Sequence, residues 1–481
     1  MNVGFVSLGC SKNLIDTEAT IGLFKKHKFK IVNEPENADI LVINTCGFIE
    51  SAKEEAINTI LEMAEYKKQK CQYLIVMGCL VQRYYEELKK ALPEVDLFIK
   101  IDQYEELWQK IANLVIDTKA VGKAKVEEVL KSDTEVETKQ DLKEDHNKGY
   151  KSKIPEIPML TQEEFMNRVV TTNTNYAYLK IAEGCSNMCT YCAIPYIRGA
   201  YVSRKMEDIL EEALMLSNKG VKEIILIAQD TSKYGIDLYG KPLLAELLQK
   251  ISKIEGIKWV RFLYTYPEGI SDSLIAEVKN NPKVAKYFDI PIQHISDRIL
   301  KKMNRKITKS EIISLLQKIR TQIPSVVLRT TLMVGFPGET EEDFAELMEF
   351  VCQAKFDKLG AFMYSKEDGT PAASMPNQVH GNTKKSRYNR VMCAQQKISR
   401  ENLKKRLGKV FDVIIEDISF DGKYYIGRTI ENVPEIDGLV YIKNNTEGRK
   451  TRVNTFAKCK IVGIDDYDLI AEEVKEQDST L

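Results

Sequence analysis

Apolar positions in the N-terminal residues 1–115 fall into two alternating textures. Short, β-branched-rich runs at residues 3–8, 40–43 and 73–77 have the pattern of strands buried on both faces of a parallel sheet, and stretches of helical period separate them. Ser51 followed by Glu54 predicts a capping box at the start of a helix that runs toward Lys68, with Ala56, Ile57, Ile60, Leu61 and Ala64 on its apolar face. From 117 to 158 the pattern dissolves into Lys, Glu, Asp, Thr and Gln and closes on Pro155 and Pro158, a solvated linker to which no chemistry is assigned. Alternation resumes at Tyr176, with strands expected at 177–181, 223–228, 259–265, 287–292, 326–334 and 358–364. Six β/α units of this kind predict an incomplete barrel. After Leu407-Gly408, alternating runs at 410–415, 424–429, 439–442 and 459–463, broken by Asp-Gly and Asn-Asn turns, predict a small antiparallel β-barrel. The fold class is α/β, with an N-terminal open parallel-sheet domain (1–116), a charged linker (117–158), a central partial (β/α)6 barrel (171–403) and a C-terminal barrel (404–475).

Ligands bind outside the carboxyl ends of strands in an open α/β sheet, so the residues where strands stop carry the chemistry. The first three strands stop at Leu8-Gly9-Cys10, Asn44-Thr45-Cys46 and Met77-Gly78-Cys79, and deliver three thiols in phase to one rim. Glycine before two of them lets backbone approach a bulky inorganic guest. One such Cys would read as a small buried residue, but three predict a metal cluster. Cys71 precedes its strand, at the opposite rim, and is excluded. Cys352, Cys393 and Cys459 lie in helical or strand patterns without a partner at ligand spacing and read as core.

The central region opens with Ile181-Ala-Glu-Gly-Cys-Ser-Asn-Met-Cys-Thr-Tyr-Cys192, which sets Cys185, Cys189 and Cys192 at C-x3-C-x2-C spacing. So compact a loop can wrap three corners of an iron-sulfur cube and leave one iron open. The alternatives are packed thiols or a zinc knuckle, but a closed zinc site needs four ligands and no fourth is near. The other barrel-strand ends are Gln229-Asp-Thr231, Tyr264-Thr-Tyr-Pro267, Gln293-His294, Gly335-Phe-Pro-Gly338 and Tyr364-Ser365, which predict a single lined cavity. Within it, the Gly335 turn either meets a nucleoside or is only a turn, and Arg329 pairs with a bound carboxylate or with a buried acid. His294 is either structural or an acid/base group.

Composition narrows the classes. At 481 residues, with a prior of ~150 per domain, about three domains are expected. Lys plus Arg equals Asp plus Glu at 70 each, so no global field points to nucleic acid. No basic n-region with an apolar stretch follows Met1 and no run approaches ~18 apolar residues, so a cytoplasmic chain with no membrane association is expected. Ten Cys in such a chain suit metal ligation better than disulfides.

With Tyr191 just before its last Cys, the 185–192 loop resembles the signature of radical S-adenosylmethionine (SAM) enzymes. That resemblance implies a 4Fe-4S cluster whose open iron chelates SAM, and an electron that cleaves SAM to a 5'-deoxyadenosyl radical. Two three-Cys sites on α/β domains followed by a β-barrel resemble the methylthiotransferases. Ser7-Leu-Gly-Cys-Ser-Lys-Asn13 with Asp16, Asn44-Thr-Cys-Gly-Phe-Ile49 with Ala52-Lys53, Tyr178-Leu-Lys-Ile-Ala-Glu-Gly184, Ala193-Ile-Pro195 with Ile197-Arg-Gly199, and Gln229-Asp-Thr231 with Tyr234-Gly235 resemble the RimO type. The tRNA-modifying MiaB type usually has Gln-Met-Asn after its first cluster Cys, where this chain has Ser11-Lys12-Asn13.

The RimO resemblance implies methylthiolation of the β-carbon of an aspartate in small-subunit ribosomal protein twelve, free or in the 30S particle. It implies two 4Fe-4S clusters, SAM and an external electron donor. Cys185, Cys189 and Cys192 would hold the SAM cluster, with Tyr191, Gln229, Arg329 and Gly335 around the cofactor. Cys10, Cys46 and Cys79 would hold an auxiliary cluster that carries the sulfur, and both clusters would face one cavity. No catalytic residue is assigned beyond the ligands. The C-terminal barrel is expected to contact RNA if Lys443, Arg449, Lys450 and Arg452 form a basic edge; such residues also merely solvate a strand edge. The competitors are a tRNA methylthiotransferase, a radical SAM enzyme whose second cluster only passes electrons, and a non-enzymatic iron-sulfur or RNA-binding scaffold.

Overall fold

Strands β1 (Asn2–Ser7), β2 (Lys30–Val32), β3 (Ile40–Thr45), β4 (Tyr73–Gly78) and β5 (Leu97–Ile99) make one sheet in the order β2-β1-β3-β4-β5, parallel throughout. Every residue of β3 and β4 is buried, which is why their sequences run apolar without alternation. The edge strands β2 and β5 have three residues each, too few to show a run. Helices α1 (Ser11–Lys26), α2 (Glu50–Ala64), α3 (Cys79–Ala91) and α4 (Leu107–Asp117) cover the sheet. One face is filled by Val3, Phe24, Ile75, Ile99 and Ile111, and the other by Leu41, Ile43, Ile60, Leu74 and Val76. The computed structural model describes residues 1–117, 154–173, 175–444 and 452–474. Most of the charged linker, and with it Arg449 and Lys450, lies outside the described residues.

The expected cap of α2 is corrected. Ile49 is the N-cap, without a side-chain bond, and Ser51 lies inside the first turn. The buried stripe is Ala56, Ile60 and Met63, at i, i+4 and i+7, so it is narrower than predicted. Ile57 and Leu61 are left 36% and 44% exposed.

The described residues form two compact units, Met1–Val169 with Gly184–Ser186 and Ala193–Ala200, and the rest. In the second unit, β6 (Tyr176–Lys180), β9 (Glu223–Ile227) and β10 (Trp259–Phe262) form one parallel sheet. A second consists of β11 (Tyr287–Asp289), β12 (Val327–Val334) and β13 (Lys358–Met363), and a parallel bridge between Val260 and Val284 joins the two into a six-stranded partial barrel. A small hairpin, β7 (Ala182–Glu183) with β8 (Val202–Ser203), stands apart from them. β10 and β11 stop earlier than the apolar pattern predicts. Tyr264, at φ 61°, turns the chain out of the extended region just past the end of β10.

Strands β14 (Val410–Ile418), β15 (Tyr424–Thr429), β16 (Val440–Lys443), β17 (Phe456–Ile464) and β18 (Leu469–Glu473) close a barrel in the order β14-β15-β16-β18-β17. β18, absent from the sequence reading, pairs parallel with β16, and every other pairing is antiparallel. This barrel packs on the starts of the partial-barrel strands. Tyr176 donates to Glu435 at 2.9 Å and Tyr287 to Asp437 at 2.9 Å, and Trp259 meets Phe456 edge-on at 4.9 Å. The amino ends are thereby plugged, and the carboxyl ends, where barrel strands present working residues, stay clear of it. Cys352 and Cys393 are exposed, not core, because each falls on the outer face of its helix; Cys71 and Cys459 are buried. No helix of the described residues is long and apolar enough to cross a membrane.

Candidate functional site

In the first unit the three predicted strand ends meet. Cys10 is the N-cap of α1, Cys46 follows β3 and Cys79 opens α3. A Cβ on Gly9 would fall 3.1 Å from Cys46 Sγ, and one on Gly47 would fall 2.7 Å from Leu80 Cα and 3.1 Å from the Cys79 carbonyl carbon. Each loop therefore touches the next through a glycine. Asn13 clasps all three: its Nδ2 donates to Leu8 O at 3.0 Å and Thr45 O at 2.9 Å, and its Oδ1 lies 3.5 Å from Cys79 Sγ. Asn44 holds Asn13 in turn, donating to its carbonyl at 2.9 Å.

A positive charge sits among these thiols. Arg198 Nη2 lies 3.5 Å from Cys79 Sγ and 2.5 Å from Asn13 Oδ1, and Nη1 lies 2.7 Å from Asp16 Oδ2. Cys10 keeps an accessible surface, yet enough protein packs around it for burial to count against its thiolate. Lys12, Arg198 and the backbone N–H groups of Asn13 and Lys12 outweigh that burial and hold its thiol below the ordinary range. Burial pushes the Cys46 thiol up and the Cys79 thiol up to about 12, against the pull of Arg198. Among the described residues no three His, Cys, Asp or Glu side chains converge on a single ion. A cube asks for something else, one iron per sulfur, and three thiols beside a guanidinium and two helix N-termini suit an anionic thiolate-held cluster.

In the 185–192 loop, Cys185 belongs with the first unit, where its N–H donates to Gly199 O at 3.1 Å. Cys189 and Cys192 belong with the second. There Cys189 Sγ lies 3.4 Å from the Tyr266 hydroxyl, and Thr190 is pinned by Met303 O and by the N–H of Ala372. Tyr191 packs with Cys189, Met303, Phe336 and Tyr364. Burial, then the neighbouring Cys189, push its phenol well up, so it stays neutral. Asn187 donates to Asp230 at 2.9 Å, and Lys233 donates to Asn187.

The comparisons with known proteins agree along the chain. Residues 2–100 match the uncharacterized protein family UPF0004, 179–351 the Radical SAM superfamily and 407–474 the TRAM domain. A ribosomal protein uS12 methylthiotransferase RimO of Alkaliphilus oremlandii is 56% identical over 472 residues, 98% of this chain and 99% of that protein. The same-named protein of Acetivibrio thermocellus is 49% identical over 98% of each. The chain belongs to the RimO family. A solved radical SAM methyltransferase, TsrM from Kitasatospora setae, has a TM-score of 0.53 at 11% identity and covers 77% of this chain and 76% of its own. That likeness concerns the fold alone.

In this RimO chain the remaining predicted residues divide. Gln229 follows β9 at the carboxyl rim, half-buried. Gly335 turns at φ 73°, and its N–H donates to Glu339 Oε2 at 2.7 Å, as does that of Phe336 at 3.3 Å. Arg387 anchors Glu339 at 2.7 Å, so the turn is pre-formed. Arg329 is taken by the buried acid of the two alternatives: it pairs with Asp289 at 2.7 Å, toward the start of β12. His294 is enclosed, its Nδ1 accepts from Ser296 N–H at 3.0 Å and its Nε2 faces Glu339 at 3.7 Å, the surroundings of a structural group. Of the basic edge, Lys443 is exposed and Arg452 is engaged with Glu473 at 2.5 Å. Sequence reasoning passed over the roles of Asn13 and Arg198. Both stood inside quoted motifs, and a buried Asn beside a strand-end Cys was the available signal.

Proposed function

We propose that this chain is a radical SAM methylthiotransferase that modifies the β-carbon of an aspartate in ribosomal protein uS12. The observation that carries this reading is the clasp by Asn13 of the three strand ends that carry Cys10, Cys46 and Cys79, through Leu8 O, Thr45 O and Cys79 Sγ, in a chain of the RimO family that also bears the C-x3-C-x2-C loop. Cys185, Cys189 and Cys192 would hold one 4Fe-4S cluster, and Cys10, Cys46 and Cys79 a second. When bound, the first supplies the electron that cleaves SAM to a carbon radical, and the second carries the sulfur that is methylated and transferred.

The chain's own residues set the conditions. Tyr191, Phe336 and Tyr364 present an apolar wall suited to the adenine. The Gly335 turn, fixed by Glu339, presents backbone to the nucleoside, and Gln229 offers an amide at the rim. Arg329, already paired with Asp289, serves the lumen rather than the SAM carboxylate. The reaction would run in the cytoplasm, with an external protein supplying electrons and the 30S particle or free uS12 as substrate. The C-terminal barrel would touch ribosomal RNA through the Lys443 edge.

The test is an anaerobic reaction of the reconstituted protein with SAM, dithionite and either uS12 or hypomodified tRNA, followed by mass measurement of both. A methylthio mass gain on uS12 alone is expected, and a gain on tRNA alone would refute the substrate. Cys46→Ala should still yield 5'-deoxyadenosine but no methylthio product, and full product from that variant would end the role given to the trio.

A further inference from the structure

Arg198 is buried, and none of the chemistry above requires it. It lies outside both cysteine motifs, yet its guanidinium reaches Cys79 Sγ at 3.5 Å, Asn13 Oδ1 at 2.5 Å and Asp16 Oδ2 at 2.7 Å. The charges facing the trio from the elements around it include Lys12 and Asp16 on α1, Glu55 on α2, Arg83 on α3, which donates to Gly47 O at 2.7 Å, and Arg198 itself. Lys12 sits beside Cys10, and Glu55 acts on Cys46. Arg198 touches a sulfur and is itself touched by a carboxylate, so its field at the trio is tunable through that carboxylate.

We infer that Arg198 is a positioning residue that sets the electrostatic potential at the Cys10, Cys46 and Cys79 site, with Asp16 as the counter-charge that moderates it. The inference rests on the auxiliary-cluster reading given above. Each electron or anionic sulfur added to a thiolate-held cluster increases its negative charge, and a guanidinium held against one ligand in a dry setting favours that state. Asp16 withdraws part of the guanidinium's field and fixes its plane, and Asn13 fixes the distance to Cys79. The next residue, Gly199, accepts the N–H of Cys185, so the segment that carries the charge also holds the first ligand of the other trio.

The test uses the full-length chain with Cys185, Cys189 and Cys192 all replaced by Ala, reconstituted anaerobically with iron and sulfide so that one cluster remains. Its midpoint potential is read by redox titration with dithionite, followed by paramagnetic resonance. In that background Arg198→Gln should make reduction at least tenfold harder, a shift of ~59 mV for one electron. Asp16→Asn should shift it the other way, and Arg198→Lys should stay near the parent. A merely structural role would lower iron content in both Arg198→Gln and Asp16→Asn without opposite shifts, and that result overturns the inference. If Arg198→Gln retains no iron, Asp16→Asn still decides, because an unchanged potential there overturns it too. A parent protein that holds no cluster at all refutes the auxiliary-cluster reading itself.

Discussion

Arg428 Nη1 lies 2.5 Å from Glu223 Oε2, and both side chains are fully enclosed where the C-terminal barrel meets the start of β9. Arg261 approaches the other oxygen of Glu223 at 2.8 Å, and Arg428 also reaches Glu416 at 2.8 Å. Two cations share two carboxylates in a setting that excludes water. Removing one partner strands the others, so Glu223→Ala should destabilise the second unit by ~3–5 kcal/mol in urea denaturation.

The same network predicts a pH dependence. Burial alone would raise the Glu223 carboxyl, but Arg428 and Arg261 outweigh it and hold the group below its ordinary value of 4.5. A depressed folded value stabilises the protein above the unfolded value, and that stability is lost as pH falls through the folded one. Glu416 shifts the other way, raised mainly by burial, so it contributes no such loss. The stability gap between the wild type and Glu223→Gln should therefore be widest near neutral pH and narrow below 4.5, as measured by denaturant midpoints across pH.

Gly47 and Gly381 make a matched pair. Alanine at Gly47 would press a methyl against backbone at 2.7 Å, whereas nothing lies within 4 Å of the equivalent atom at Gly381, the first residue of a helix. Gly47→Ala should destabilise by ~1–3 kcal/mol and reduce the iron retained after reconstitution. Gly381→Ala should be neutral or stabilise by ~0.4–1 kcal/mol. Thermal denaturation with iron assay separates the two.

Gln293 holds φ 69° while its N–H donates to Thr331 O and its carbonyl accepts from Met333 N–H. A non-glycine residue in that region stores ~1–2 kcal/mol. Gln293→Gly should leave stability unchanged or slightly raised while SAM cleavage falls, since the strained position sits at the carboxyl rim. A drop in stability with unchanged cleavage would remove Gln293 from the site.

Alkylation should sort the cysteines outside the two trios. Cys352 and Cys393 are exposed, and Cys71 and Cys459 buried, with burial pushing the Cys459 thiol up to about 12. Iodoacetamide on the native holoprotein should label Cys352 and Cys393 without loss of turnover, and Cys71 and Cys459 only after unfolding. Peptide mass mapping reads the outcome.

The parts of this protein written locally in its sequence are those with short-range causes. An unbroken apolar run such as that of β4 means burial on both faces, and a strand's end is marked by the residue that stops the run, so Cys10, Cys46, Cys79 and the 185–192 loop could be named without coordinates. Ile57 and Leu61 could not be placed, since helical period alone does not say how wide a stripe the sheet will cover. Only tertiary structure decided that Arg198 stands against Cys79, 119 positions away, and that Arg428 closes on Glu223. A charged side chain finds its partner through the packing of distant elements, and the cost of burying it unpaired is paid or avoided only once those elements have met.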